Sequence, residues 1–202
     1  MKKRRFWRKF WQFYKWHILF LVLIAICVGF ILSNVTQKKE PDLSVCYIGK
    51  NYINVQTFND NKSTLELLLH DANADGERNI SISAFPVDLE SDLHEVFEKM
   101  VEKDTYNIFI AEKTAFTKFE DKSLFVTANE YVDLSKIPGD TLKDDEDRIY
   151  AVSLEGCAYL KRLGIFDATD LYIVAVNPAE GEELTRNHKN GRNIAGYILT
   201  QE

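Results

Sequence analysis

Residues Asp71 to Asn79 read DANADGERN, the stretch whose residue types and spacing come nearest to chemistry. A hard cation such as Ca2+ needs several oxygens around one point. Acidic or amide side chains at alternate positions of a tight loop supply them, and glycine permits the turn. Asp71, Asn73 and Asp75 offer side-chain oxygens, and the carbonyl of Glu77 offers a fourth. Arg78 stands where such a loop usually carries an aliphatic residue, and Ile82 where a bidentate Glu would close the shell. The same residues also suit a solvated turn with no metal. The acidic run Asp144, Asp145, Glu146 and Asp147 is either a source of a missing ligand or a solvated loop.

Other reactive residue types lack partners at useful spacing. His94-Glu95 begins like a zinc-protease helix, but Glu98 occupies the position of the second histidine. His70 and His188 have no recognisable partner spacing, and no Gly-x-Ser-x-Gly elbow, dinucleotide fingerprint or phosphate-binding loop is present. Catalysis is therefore not announced by any motif, and a binding role is the more economical expectation. Cys46 and Cys157 are either one disulfide or two small buried hydrophobes, and neither belongs to a Cys-x-x-Cys pair.

The elements that must position these residues begin with Trp16 to Val35, WHILFLVLIAICVGFILSNV, which carries no formal charge. Twenty helical residues reach the ~30 Å of a hydrocarbon core, so the stretch predicts a transmembrane helix. The first seventeen residues hold seven of the 25 Lys and Arg and none of the 31 Asp and Glu. The positive-inside tendency then predicts a single-pass protein of the cell membrane, its N-terminus cytoplasmic and its C-terminal domain extracytoplasmic. Aromatic residues from Phe6 to Trp16 would form a collar at the headgroups. The expected organisation is a basic aromatic segment over 1–15, the membrane helix over 16–35, a stalk over 36–42 and one α/β domain over 43–202. The strongly acidic remainder argues against nucleic acid as a partner.

Within the domain, LSVCYI at 43–48 and ISISAFPV at 80–87 predict strands. Leu93, Val96, Phe97, Met100 and Val101 form one apolar stripe, predicting a helix over 91–103 capped by Ser91. YNIFIA at 106–111 predicts a strand buried on both faces. This order is a βαβ unit. Strand-like residues recur over 148–154 and 171–177, Cys157 to Leu163 suggests a helix, and Ala179 to Gln201 suggests a final helix interrupted near Asn190 and Gly191. The fold class expected is a three-layer α/β sandwich around a mostly parallel or mixed sheet, preceded by one transmembrane helix.

The run from the leading strand through NADGERNISI, the amphipathic helix, DTYNIFIAE and EGCAYLKRLGIFDATDLYIVAVNP resembles one lobe of extracellular solute-binding proteins, in a short membrane-anchored form of Gram-positive bacteria. That resemblance implies an α/β module that binds a small solute or another envelope protein, without the second lobe that normally closes over a ligand. The alternatives are an envelope hydrolase that uses acidic residues near the metal-like loop, and a scaffold subunit of a transporter assembly.

Overall fold

The structure, a computed structural model, describes residues 14–29, 40–50, 53–87, 90–103, 105–137, 139–178 and 183–201. The chain divides into two compact units, Met1–Glu40 and Pro41–Glu202. In the first, residues 14–29 form helix α1. Among the described residues no helix is long and apolar enough to cross a membrane. This overturns the expected transmembrane helix over 16–35, and with it the single-pass cell-membrane placement and its orientation. Residues 30–35 of that stretch, and the aromatic positions before Tyr14, lie outside the described residues.

The second unit is α/β, built on a six-stranded mixed sheet in the order β2-β1-β3-β6-β5-β4. The strands are β1 (Leu43–Gly49), β2 (Ile80–Pro86), β3 (Ile108–Glu112), β4 (Thr141–Lys143), β5 (Ile149–Ser153) and β6 (Leu171–Ala175). β2 and β3 both run parallel to β1, one on each side of it. β6 is antiparallel to β3, and β5 is antiparallel to β6. Four strands therefore point the same way, and β1, β2, β3 and β5 end at one edge of the sheet. β3 and β6 are buried at every position, which explains their unbroken apolar runs.

Helices cover both faces. On one, α2 (Val55–Asn61), α3 (Ser63–Glu66), α6 (Tyr159–Arg162) and α7 (Arg186–Thr200) enclose a mainly aliphatic core with Val45, Tyr47, Ile110 and Ile173. On the other, α4 (Glu90–Val101) and α5 (Lys113–Lys118) enclose an aromatic core centred on Phe97. Phe97 meets Phe109, Phe116 and Phe119 edge-on, with ring centroids 5.3, 4.9 and 5.5 Å away. The cap expected of Ser91 lies outside the described side chains.

Three local expectations change. Asp42, placed by its polar neighbours in a stalk, is fully buried in the second unit. Thr141–Lys143, just before the acidic run and not expected as a strand, forms the short edge strand β4. The break expected near Asn190 does not occur: both Asn190 and Gly191 lie buried inside continuous α7. Cys46 and Cys157 are free thiols that pack on opposite faces of the sheet, so they do not pair.

Candidate functional site

DANADGERN connects α3 to β2 at the sheet edge where the parallel strands begin. Its sharp turn uses left-handed backbone at Ala74 (φ 59°) and Gly76 (φ 83°). Asp71 Oδ2 accepts from Gly76 N–H at 2.9 Å, Asn73 Oδ1 from Asp75 N–H at 3.0 Å, and Asp75 Oδ1 from Glu77 N–H at 2.8 Å. The four sequence-predicted residues thus share one loop, but Asp71, Asn73 and Asp75 turn oxygens onto the loop's own backbone and Glu77 contributes a donor to that set.

The loop is tied down from below by Asp42. Its Oδ1 accepts from Ala72 N–H at 2.6 Å and its Oδ2 from Asn79 N–H at 2.9 Å. Asn190 completes the tie, donating to the carbonyls of Asp42 and His70 and accepting from His70 N–H. Arg186 donates to the carbonyl of Asp71, and its cation with that of Lys189 beside the loop is unfavourable to a dication. Among the described residues no group of three or more His, Cys, Asp or Glu could hold a metal ion. Asp144 is committed elsewhere: its carboxylate pairs with Arg148 at 2.7 Å, which holds it below the usual carboxylate range. His94 lies half-buried on α4, and its neighbour Glu95 pairs with Lys99.

At the opposite edge, where β1, β3 and β5 end, the structure gathers residues that motif reading passed over. Glu112, only 7% exposed, closes β3 and binds the end of β1 twice. It accepts from Lys50 N–H at 2.7 Å and pairs with Lys50 Nζ at 3.3 Å. Beside it, Lys113 Nζ lies 3.5 Å from Asp140 and 5.9 Å from the centroid of the Tyr172 ring. Tyr172 OH donates to Asp140 Oδ2 at 3.1 Å. The Thr141 N–H and then this phenol lower the Asp140 carboxyl, while burial and then Asp140 push Tyr172 up to about 12. Burial and then the charge of Glu112 push Tyr47 up to about 12 as well.

From this edge opens a groove of about 610 Å³, lined among others by Lys136, Gly139, Ser153, Glu155, Cys157 and Thr200. A second hollow of about 230 Å³ shares Glu155, Gly156 and Cys157 and reaches Phe166, which is 63% exposed. Gly156 turns the chain after β5 with φ 84°. Cys157 is no nucleophile here: burial raises its thiol, and its Sγ donates to the Ile198 carbonyl at 3.2 Å.

A sequence signal for this edge did exist. Lys50 and the Glu112-Lys113 pair fall directly after buried apolar strands, where open α/β sheets present their ligand-contacting residues. Glu155 carries the same signal, falling directly after the strand-like run 148–154, whereas Asp140 gave none, because β4 is too short and too polar to be read as a strand. No family model matches the sequence, and no curated protein and no solved structure matches it.

Proposed function

We propose that the folded unit is a binding module that takes a small polar solute in the groove at the carboxyl end of β5, as a solute-binding lobe would. The observation that carries this reading is the position of the groove. It is a concave hollow just past the carboxyl end of β5, bounded on its other side by the last residues of α7, and concave sites with a few convergent polar groups are where small ligands bind. Its lining holds one cation, Lys136, whose Nζ also lies 3.0 Å from Asp133, and one anion, Glu155, around the hydroxyls of Ser135, Ser153 and Thr200. The last turn of α7 also ends in the groove, and its carbonyls attract positive charge. This set suits a zwitterion such as an amino acid or short peptide, its ammonium towards Glu155 and its carboxylate towards Lys136. The hydrolase alternative has less support: near the metal-like loop Asp42 and Asp71 accept from backbone N–H groups, and at this edge the buried carboxylate among the described residues, Glu112, is paired with Lys50.

The test is thermal melting of the chain with free amino acids and dipeptides, then with neutral sugars. A zwitterion is expected to raise the melting temperature, since a ligand that binds only the native state stabilises it by mass action. Ser135→Trp, which fills the groove from an exposed position, should abolish the rise without changing the unliganded melt. A wild-type chain indifferent to every zwitterion, or a rise that survives Ser135→Trp, would remove the proposal.

A further inference from the structure

The two outer strands of the sheet are unlike each other. β4 is blunted in the usual ways: it is three residues long, carries Lys143, and its pairing slips between Leu142 and Lys143. β2 is seven residues, ISISAFP, without a charged side chain, and pairs in unbroken register with β1 on its inner side only. The direction of its backbone groups follows from the bonds at its two ends. Asn79 C=O accepts from Asp42 and Leu43 N–H, and Val87 N–H donates to Gly49 C=O, so odd-numbered residues face β1. Even-numbered residues face outward. Ile80 is already served there, its N–H by Glu66 and its carbonyl by Lys62. Pro86 has no N–H to offer. Between them, no described residue reaches the N–H and C=O of Ile82 and Ala84.

We infer that β2 is a dimerisation edge, pairing antiparallel with β2 of a second copy of this chain about a two-fold axis at Ser83. The open residues flank Ser83 symmetrically, so the edge is complementary to itself. Ile82 would exchange both main-chain hydrogen bonds with the partner's Ala84, and Ala84 with the partner's Ile82. This satisfies all the open groups. A longer foreign strand would gain nothing further, because Ile80 is capped and Pro86 lacks a donor. The acidity of the folded unit does not oppose the contact, since β2 carries no charge. Ile82 and Ala84, half-buried against the aliphatic core, would lose further exposed surface, and the two sheets would become one.

Ser83 would form a non-hydrogen-bonded pair with the partner's Ser83, Cα atoms ~4.5 Å apart, which a disulfide can span. The experiment uses the full chain with Cys27→Ser, oxidised and run on non-reducing gels. Ser83→Cys should form a covalent dimer, whereas Ser81→Cys, which faces the partner's Phe85, should not. Ala84→Pro added to Ser83→Cys removes only an outward N–H, and should abolish the cross-link while leaving circular dichroism and melting unchanged. Equal cross-linking of Ser81→Cys and Ser83→Cys, a cross-link that survives Ala84→Pro, or none at any concentration up to millimolar would each overturn the inference.

Discussion

Asp42 shows how much one carboxylate can do when both its oxygens are spent on backbone. It is fully buried, holds Ala72 and Asn79 N–H, and its own carbonyl accepts from Asn190. Hydrogen bonds to a charged group contribute more than neutral ones, and orphaned donors add their own penalty. Asp42→Ala should therefore cost about 3 kcal/mol of stability in urea unfolding; a loss below about 1 kcal/mol would show that Asp71 and Asn190 hold the loop unaided. The loop closes on its own N–H groups, so chelation should leave the melting temperature of the wild-type chain unchanged. A drop on chelation, restored by calcium and lost in Asp75→Ala, would instead show that Asp71, Asn73 and Asp75 serve a cation.

At the scale of elements, α7 is held against the rest of the unit by glycines that a helix would otherwise avoid. A Cβ built on Gly196 would lie 2.2 Å from the Tyr131 carbonyl oxygen, and one on Gly191 would lie 2.9 Å from that of Asn107. Alanine is worth about 1 kcal/mol more than glycine inside a helix, but both contacts are with backbone, which cannot swing aside. Gly196→Ala should therefore destabilise by about 2 kcal/mol, since overpacking of this kind typically costs 1–3 kcal/mol. Gly191→Ala should cost less; equal or improved stability in the Gly196 variant would mean that α7 slides freely over Tyr131. From sequence, Asn190 and Gly191 read as a break, because propensity is a local quantity and the benefit here is tertiary. The strands over 43–49, 108–112, 149–153 and 171–175 were legible for the opposite reason, each being an apolar run that burial requires, and 80–86 was legible by its alternation of apolar and polar residues. β4 was not, since a three-residue edge strand needs little apolar surface. For the site, the metal-like loop was visible because its signal is contiguous in sequence. The groove was not, because Lys136, the Ser153–Glu155 stretch and Thr200 come from three separate segments.

Across the whole molecule, the sheet carries phenols inward from both faces, and this makes its stability depend on pH at the alkaline end. Tyr47 lies in the aliphatic core and Tyr150 in the aromatic one, while Tyr172 spans from the aromatic core to Asp140 at the groove edge. Burial is the first cause in each case, and each phenol is pushed up to about 12. An unfolded tyrosine ionises near pH 10. Between roughly pH 10 and 12 the unfolded chain therefore holds fewer protons than the native one, and stability falls as pH rises. The contribution is complete below pH ~10 and is lost through the native values near 12. The fold should thus be indifferent to pH between about 7 and 9 on account of these groups, then unfold cooperatively above pH ~10. Absorbance at the phenolate band, followed beside circular dichroism, measures both events together. Exposed tyrosines should titrate first with the fold intact, and Tyr47, Tyr150 and Tyr172 only as the sheet dissociates. If all nine tyrosines ionise in one wave near pH 10 while the circular dichroism is unchanged, the phenols are not sealed in the two cores and the packing described for both faces is wrong.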